Sequence, residues 1–196
     1  MKNYRNAKHV MLDIETLDTA PSTVVLSVAA IAFSMDAEQL LVQDQLELHL
    51  STRPQLFQGR TTSKDTIAWW KRQDAAARQL VSAPLKDEFD PASALLKLSV
   101  FIDFNKPDYV WAQGASFDFP ILMDMARSYN MTDLGWKFWQ ERDSRTVISG
   151  AGIDKSEIFK EGPYIAHNPI DDCMVHAEAL RRAVFDINVY TGEGAE

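Results

Sequence analysis

The chain has 196 residues, 46% of them hydrophobic and 24% charged, which is typical of one folded domain and excludes disordered, collagen-like and membrane-spanning classes. It carries 28 acidic and 20 basic residues, so its formal net charge is −8. This excess of acid argues against a broad basic face for duplex nucleic acid, but it allows an enzyme whose acidic residues bind metal ions.

The N-terminal sequence and the cysteine content predict a cytoplasmic protein. Residues 1–16 contain no apolar segment of signal-peptide length, and no apolar run in the chain is long enough to cross a membrane. The single cysteine, Cys173, cannot form an internal disulfide. We therefore expect a cytoplasmic protein that has no membrane partner.

The first fifty residues predict three strands joined by short connections. Residues 9–15 form an apolar strand, and residues 23–33 form a nearly continuous apolar run that is typical of a strand buried on both faces. In residues 40–50, leucines alternate with polar side chains, which indicates a strand with one buried face. The short connections favour an antiparallel meander.

Beyond residue 60 the sequence predicts mostly helices, with two short strands among them. Ser63 and Asp90 are typical N-cap residues, and each precedes a segment of helical character. The apolar run at 109–112 and the aromatic segment at 136–139 predict the two strands. The other predicted elements are a helix at 117–129, a short helix near Arg145, a long irregular loop at 149–164 and a last helix that begins after Asn168 and repeats apolar residues up to Ile187.

This order of elements predicts an α/β fold in a single domain. A strand meander followed by alternating helices and strands is typical of a five-stranded mixed sheet, with an antiparallel meander plus parallel strands, flanked by helices. We expect residues 1–190 to form this domain and residues 191–196 to be a disordered tail.

Asp13 and Glu15 stand out because they interrupt the apolar first strand. Residues two apart in a strand point to the same face, so the two carboxylates project side by side. Two anions held together at partly buried positions are costly unless a cation neutralises them, and oxygen ligands favour Mg²⁺ or Mn²⁺ over zinc. The alternative is a strand end at which both carboxylates reach water.

Asp118 lies where the strand at 109–112 passes into the next helix, in the segment WAQGASFDFPIL. In open α/β sheets, ligands bind at the carboxyl ends of the strands, which makes Asp118 a candidate site residue. The alternative is an ordinary first-turn carboxylate that the helix dipole stabilises.

His167 and Asp172 lie at the start of the last helix. Asn168 is a suitable cap, and Asp171 occupies a capping-box position, so that capping alone accounts for Asp171. Capping does not account for His167, which ends the preceding loop. A histidine about one helical turn from a carboxylate is a reasonable pair of general base and metal ligand.

Together and in this order, these residues resemble the three motifs of the DEDD exonucleases. The motifs are Asp13-x-Glu15 in the first strand, Phe117-Asp118 at a strand–helix junction and His167-x4-Asp172 at the start of the last helix. The histidine is typical of the DEDDh branch of the ribonuclease H-like superfamily.

Longer segments are similar to the small bacterial and phage 3′–5′ exonucleases of the ribonuclease AS type, and the resemblance covers residues 10–184. They are MLDIETLDTAPSTVVLSVAAIAF, TIAWWKRQ, WAQGASFDFPIL and RDSRT. One departure is Gln113 or Gly114, which stands where the second motif usually has asparagine. We expect this change to alter local positioning without loss of activity.

The resemblance implies a ribonuclease H-like fold and a two-metal 3′–5′ exonuclease that releases nucleoside 5′-monophosphates. Asp13, Glu15, Asp118 and Asp172 would hold two divalent cations, Mg²⁺ or Mn²⁺, astride the scissile phosphate, one generating the attacking hydroxide and the other stabilising the leaving oxygen. His167 would take the proton of the attacking water.

The resemblance also implies substrate contacts just after the first motif and within the second. At the positions of Thr16 and Leu17, family members use backbone amides and an apolar side chain against the terminal nucleotide. Packing beneath the loop is the alternative for Leu17. Phe117, in the second motif, is a further candidate contact.

Three more residues are candidates for contacts with the nucleic acid. Trp70 and its neighbour Trp69 suit base stacking. The alternative is a structural role, in which one of them fills the core and the other covers a neighbouring helix or a second subunit. Arg145 would contact a phosphate or pair with Asp143.

The expected substrate is a single-stranded nucleic-acid 3′ end, with RNA preferred over DNA, and the resemblance also implies a homodimer of bacterial or phage origin. The same chemistry acting on DNA is one alternative. A non-catalytic nucleic-acid-binding or scaffold protein with a vestigial site is an alternative of a different class.

Overall fold

A mixed six-stranded sheet lies at the centre of the protein in the computed structural model, which describes residues 3–82 and 88–186. Its strands are β1 (His9–Thr16), β2 (Val25–Met35), β3 (Leu40–Leu50), β4 (Glu88–Phe89), β5 (Tyr109–Ala112) and β6 (Glu141–Asp143). In space they are ordered β4-β3-β2-β1-β5-β6. Strands β1 to β3 form an antiparallel meander, whereas β4, β5 and β6 each run parallel to a neighbour, which confirms the predicted α/β fold with a mixed sheet.

Helices flank this sheet, and several begin at the predicted caps. The α-helices are α1 (Thr52–Phe57), α2 (Lys64–Trp70), α3 (Ala75–Ser82), α4 (Pro91–Asn105), α5 (Ala115–Ser128), α6 (Ser144–Gly150), α7 (Lys155–Glu161) and α8 (Pro169–Asp186). The Ser63 hydroxyl accepts backbone N–H groups at the start of α2, and the Asp90 carboxylate does so at the start of α4. None of the described helices combines the length and the apolar character that crossing a membrane requires.

The two faces of β1 pack against different helices, and this decides where its acidic side chains lie. Val10 belongs to a buried cluster that includes side chains of α4 and α5. Met11, on the opposite face, is buried with Leu180 of α8. Because side chains alternate along a strand, Asp13 and Glu15 continue the Met11 face, toward α8.

The described sheet has six strands where five were predicted, because of the additional strand β4. In addition, β6 lies after the segment at 136–139 in which the last strand was predicted. β4 has two residues, too few to show a pattern in the sequence. The aromatic run at 136–139 is not a strand: Phe138–Gln140 is one turn of 3-10 helix, with Phe138 79% and Trp139 61% exposed. The strand that pairs with β5 follows at Glu141–Asp143.

The predicted loop at 149–164 contains helix α7. Asp154 caps this helix by accepting the backbone N–H of Ser156 at 2.9 Å. Its buried residue Ile158 packs with Ile148 of α6 and Val175 of α8, and this tertiary contact stabilises a helix too short to form alone. The predicted tail at 191–196 and Ile187, the last apolar residue of the predicted final helix, lie outside the described residues.

Candidate active site

The five predicted catalytic residues line one cleft at the carboxyl edge of the sheet, where the parallel strands β1, β5 and β6 end. This cleft, called here the carboxylate cleft, has a volume of about 430 Å³. Residues far apart in the sequence contribute its acidic and imidazole groups: Asp13, Glu15, Asp118, His167 and Asp172. The structure therefore brings together all three sequence motifs.

The turn between β5 and α5 directs Asp118 into the carboxylate cleft. Gly114 has φ +123°, a left-handed conformation that favours glycine, and a Cβ there would lie 3.1 Å from Nη2 of Arg145. This turn starts α5 at Ala115, so that Asp118 falls in the first helical turn, where it is 4% exposed. Helix α8 supplies Asp172 from its own first turn.

Burial raises the pKa values of all four carboxyl groups. Loss of contact with water raises the pKa of Asp13 and of Glu15 well above the ordinary values, and the neighbouring carboxylates add to both shifts. Burial also raises the pKa values of Asp118 and Asp172 to about 7, although backbone N–H groups that hydrogen-bond to each carboxylate oppose the rise. Ionising all four groups together therefore requires a compensating positive charge.

The chemistry of these donors fits divalent cations. A cation can replace the protons that such a cluster otherwise retains, and hard oxygen ligands favour Mg²⁺ or Mn²⁺. One ligand atom from each of Glu15, His167 and Asp172 lies within 4.8 Å of the other two. The carboxylates of Asp13 and Asp118 line the same cleft, so the site can offer oxygen ligands from four side chains.

His167 is held in the carboxylate cleft by its backbone and by its ring. Its φ of +65° is unusual for a residue other than glycine, and its backbone N–H donates to Oδ2 of Asp172 at 3.2 Å. The imidazole ring lies edge-on to Trp69, with the ring centroids 4.8 Å apart. Burial lowers the pKa of His167, while the charge of Asp74 opposes this shift, so the imidazole is suited to accept a proton near neutral pH.

A second cleft of about 500 Å³ adjoins the first and shares Glu15, Phe117 and Trp69 with it. We call it the tryptophan cleft. Thr16 and Arg72 are among its other lining residues. Its aromatic walls beside the carboxylates are suitable surroundings for a nucleotide base.

The predicted substrate residues near β1 occupy different environments. The Thr16 hydroxyl donates to the carbonyl of Asp18 at 2.7 Å. Leu17 packs beside the buried pair Leu26 and Trp70, and its backbone N–H donates to the carbonyl of Val24. Trp70 is 3% exposed and donates its indole N–H to the carbonyl of Thr16, so it supports the floor of the tryptophan cleft. Its neighbour Trp69 is the more exposed of the two.

Arg145 lines the carboxylate cleft from the first turn of α6. Its Nη2 donates to the carbonyl of Gln113 at 2.8 Å. Asp143, its predicted alternative partner, accepts the backbone N–H groups of Ala115 and Thr146, and the charge of Arg145 helps to lower the pKa of Asp143. Gln113 also accepts the hydroxyl of Ser144, which ties the turn after β5 to the start of α6.

Two residues that line the carboxylate cleft were not predicted from the sequence as site residues. His176 follows Asp172 by four residues on α8, so both occupy the same face of that helix, and this spacing was a usable signal. Lys155 enters the cleft from α7, within a segment predicted to be irregular, and nothing in the sequence around it indicates this position. Lys155 and Arg145 are the cations among the described residues that line the carboxylate cleft.

Comparison with known proteins identifies the family of the chain. Residues 8–184 match the model of a family described as the 3′-5′ exoribonuclease Rv2179c-like domain. An exodeoxyribonuclease of Enterobacteria phage T4 is 29% identical over 205 residues, which cover 89% of each protein.

Two solved structures share the fold at low sequence identity. A product-bound exonuclease I has a TM-score of 0.57 and 10% identity, and cell-death related nuclease 4 (CRN-4) has a TM-score of 0.53 and 15% identity. The matches cover 92% and 93% of this chain, but the chain spans only 45% of exonuclease I and 64% of CRN-4. The fold is thus ribonuclease H-like, and with residues 8–184 matched, the chain belongs to the Rv2179c-like family of 3′–5′ exoribonuclease domains.

Proposed function

We propose that this protein is a 3′–5′ exonuclease that uses two divalent cations, Mg²⁺ or Mn²⁺, to release nucleoside 5′-monophosphates from single-stranded 3′ ends, with RNA as the preferred substrate. The observation that carries the proposal is the gathering of four carboxylates and one imidazole in a single cleft beside an aromatic cleft. The catalytic unit is a single domain formed by residues 1–190.

Asp13, Glu15, Asp118 and Asp172 hold the cations in this proposal. Their raised pKa values support this role, because bound positive charge relieves the repulsion that burial imposes on them. When bound, a pair of divalent cations would stabilise charge on the attacking and leaving oxygens of an in-line displacement.

His167 acts as the general base. Its imidazole nitrogen accepts the proton of the attacking water, and its lowered pKa leaves the ring neutral and ready to do so near pH 7. Two contacts support this role: the backbone N–H bond to Asp172 fixes the chain at His167, and the contact with Trp69 holds the ring, which lies close to the carboxylates of Glu15 and Asp172.

The tryptophan cleft receives the terminal nucleotide. Phe117 and the backbone of Thr16 contact this nucleotide, and Trp70 and Leu17 lie behind them as packing support. Arg145, which lines the carboxylate cleft, contacts a phosphate. A pocket of this size suits one splayed nucleotide of a single strand better than a paired duplex end.

RNA is the preferred substrate because the matching family model describes exoribonucleases. The exodeoxyribonuclease of phage T4 supports DNA as the second candidate, with the same chemistry. Distinguishing them depends on recognition of the 2′-hydroxyl, which is both a donor and an acceptor.

We also propose that the protein is a homodimer that acts in the cytoplasm. Three exposed apolar side chains at intervals of four residues lie along one side of α4 and support the dimer: Leu96, Val100 and Phe104. Sedimentation is expected to give twice the chain mass, and Val100→Asp is expected to shift the protein toward monomer. A monomeric wild-type protein would contradict the dimer.

Digestion of matched RNA and DNA oligonucleotides tests the exonuclease proposal. Each 5′-labelled strand is incubated with wild type and with Asp118→Asn, in Mg²⁺ or Mn²⁺. We expect a ladder of 3′-shortened RNA, slower shortening of DNA, mononucleotides carrying a 5′-phosphate, and no ladder with the variant. Faster digestion of DNA would favour the second candidate, whereas binding of both strands without cleavage would indicate a scaffold protein.

A further inference from the structure

Lys155 places a cation inside the carboxylate cleft from the first turn of α7. Its Nζ lies 3.1 Å from Nε2 of His176. Because an ammonium group can only donate, Nε2 must be the acceptor, and the proton of the neutral imidazole must be on Nδ1. This hydrogen bond fixes the end of a long side chain that would otherwise sample many rotamers.

His176 is itself held at a position that leaves one polar atom unpaired. It lies one helical turn after Asp172, is 6% exposed and lines the carboxylate cleft. Its Nδ1 has no hydrogen-bond partner within the part of the chain that the structure describes. An unpaired buried donor costs about 1–3 kcal/mol, so the ring is not placed there for stability alone. The imidazole instead holds the Lys155 ammonium through Nε2.

The Lys155 ammonium group has N–H donors that can bind a further ligand. The charges of Asp13 and Asp172 act on it, yet among the described residues its hydrogen bond is to His176, and it forms no close ion pair with either carboxylate. An ammonium group has three N–H donors, of which the imidazole takes one. The other two remain for an anionic ligand in the cleft.

We propose that Lys155 is a further catalytic residue, which donates a hydrogen bond to a non-bridging oxygen of the scissile phosphate, and that His176 is its positioning residue. The proposal rests on the exonuclease function proposed above, and it concerns a residue outside the three sequence motifs. Arg145 contacts a neighbouring phosphate oxygen or phosphate group, so the two cations of the cleft share the anionic substrate.

The chemical step explains why a donor at this place speeds the reaction. The water oxygen forms a bond to phosphorus, the bond from phosphorus to the leaving 3′ oxygen breaks, and the proton of the water passes to His167. The leaving oxygen then takes a proton from solvent. Negative charge concentrates on the phosphoryl oxygens during this exchange, and a donor already fixed in position stabilises that charge.

Lys155→Met removes the donor and keeps most of the side-chain volume. Lys160→Met is the matched control, because Lys160 lies on the same helix but outside the cleft, where it pairs with Glu157 at 2.6 Å. A hydrogen bond to a charged group is worth about 1.5–3 kcal/mol, so kcat/KM on single-stranded RNA should fall by about 10- to 150-fold in Lys155→Met. Lys160→Met should match the wild type.

Two measurements separate a phosphate contact from a structural role. Affinity for Mn²⁺, measured by calorimetry, should be unchanged or tighter in Lys155→Met, because the substitution removes a cation from an acidic site. RNA with a single Rp or Sp phosphorothioate at its terminal linkage tests the contact itself. Sulfur at the contacted oxygen weakens a hydrogen bond that only the wild type can form. We therefore expect one of the two isomers, compared with unmodified RNA, to slow the wild type more than it slows Lys155→Met.

His176 is tested by a conservative and a disruptive replacement. His176→Leu should reproduce the loss of kcat/KM seen in Lys155→Met, and His176→Gln, which keeps an acceptor, should restore part of it. Wild-type kcat/KM in His176→Leu, or equal kcat/KM in His176→Leu and His176→Gln, would overturn the positioning role.

The outcomes distinguish this proposal from the function on which it rests. If wild type leaves RNA and DNA ends intact in Mn²⁺, the exonuclease function itself fails. If wild type is active but Lys155→Met has unchanged kcat/KM and the same phosphorothioate ratios, only the role of Lys155 fails. Loss of Mn²⁺ binding in Lys155→Met would also overturn it. If Lys155→Met does not fold, Lys155→Arg replaces it in the phosphorothioate experiment. Because the donors of arginine lie at different positions, the ratio of rates on phosphorothioate and unmodified RNA should differ from that of the wild type.

Discussion

The indole ring of Trp69 lies edge-on against the imidazole of His167, with the ring centroids 4.8 Å apart and the planes at 76°. This contact connects helix α2 to the loop before α8. The backbone of His167 is in the left-handed region, a conformation that persists only where surrounding contacts stabilise it. Trp69 therefore orients the proposed general base.

Replacing Trp69 should reduce the rate of catalysis without loss of metal binding. An aromatic pair contributes about 0.5–1.5 kcal/mol beyond its buried area, so Trp69→Ala should lower kcat by about two- to tenfold, and Trp69→Phe by less. Trp139→Ala is the matched control, because Trp139 is exposed on the turn before β6. Equal kcat values for wild type and Trp69→Ala would contradict the orienting role.

Trp70→Phe should lower stability more than activity. The indole N–H of Trp70 donates to the carbonyl of Thr16 at 2.9 Å in a buried position, and phenylalanine leaves that carbonyl unpaired. The expected loss is about 1–3 kcal/mol in the free energy of unfolding, measured by urea denaturation. A variant as stable as the wild type would show that this hydrogen bond contributes nothing to the fold.

Gln55 provides a second test of buried polar contacts, at a position that lines neither cleft. Its carboxamide is fully buried, accepts the backbone N–H of Val25 at 2.8 Å and donates to the carbonyl of the same residue at 2.7 Å. Gln55→Leu has a similar size but leaves both groups unpaired, so the free energy of unfolding should fall by about 2–4 kcal/mol. An unchanged urea midpoint would contradict this prediction.

Without divalent cations, the protein should lose stability as the pH rises from about 6.5 to 8. The pKa values of Asp118 and Asp172 are about 7 in the folded protein and near 3.8 in the unfolded chain. In this window the folded state releases protons that the unfolded state has already lost. The free energy of unfolding therefore falls with pH, by about 1 kcal/mol for each group.

Two buried histidines make the free energy of unfolding rise with pH, the opposite of the carboxylates, but they do so at lower pH. Burial lowers the pKa of His9 to about 4 and that of His176 to about 3, both from 6.5, so their neutral forms stabilise the folded state above pH 6.5 and lose that effect as the pH falls. Thermal midpoints measured in EDTA between pH 6.5 and 8 isolate the carboxylates. Asp118→Asn should flatten the decrease, and a wild-type midpoint that rises over this range would contradict the prediction.

Much of the site could be predicted from sequence because its signals are local. Asp13 and Glu15 interrupt an apolar strand, Asp118 lies in the first turn of the helix after β5, and Asp172 lies in the first turn of the last helix. Each position alone also has an ordinary structural explanation, so their order along the chain, which resembles the DEDD motifs, identified the set. Their meeting in one cleft follows from parallel strands that end at one edge of the sheet.

Elements that depend on tertiary contacts could not be predicted. Helix α7 is seven residues long between glycine-bearing segments, and packing of Ile158 against α6 and α8 stabilises it. Because this helix was predicted to be a loop, the position of Lys155 in the carboxylate cleft was not predicted either. The segment at 136–139 was predicted as a strand, yet Phe138 and Trp139 face solvent, because hydrogen bonds between Lys137 and Gln140 close a turn there.

The most direct test of the proposed cation site is a calorimetric titration of Mn²⁺ into the metal-free protein, with wild type and Asp118→Asn compared at one pH. If the buried carboxylates are a divalent-cation site, the wild type should bind about two ions per chain, and Asp118→Asn should bind them much more weakly. Absence of binding by the wild type, or equal binding by both proteins, would contradict it.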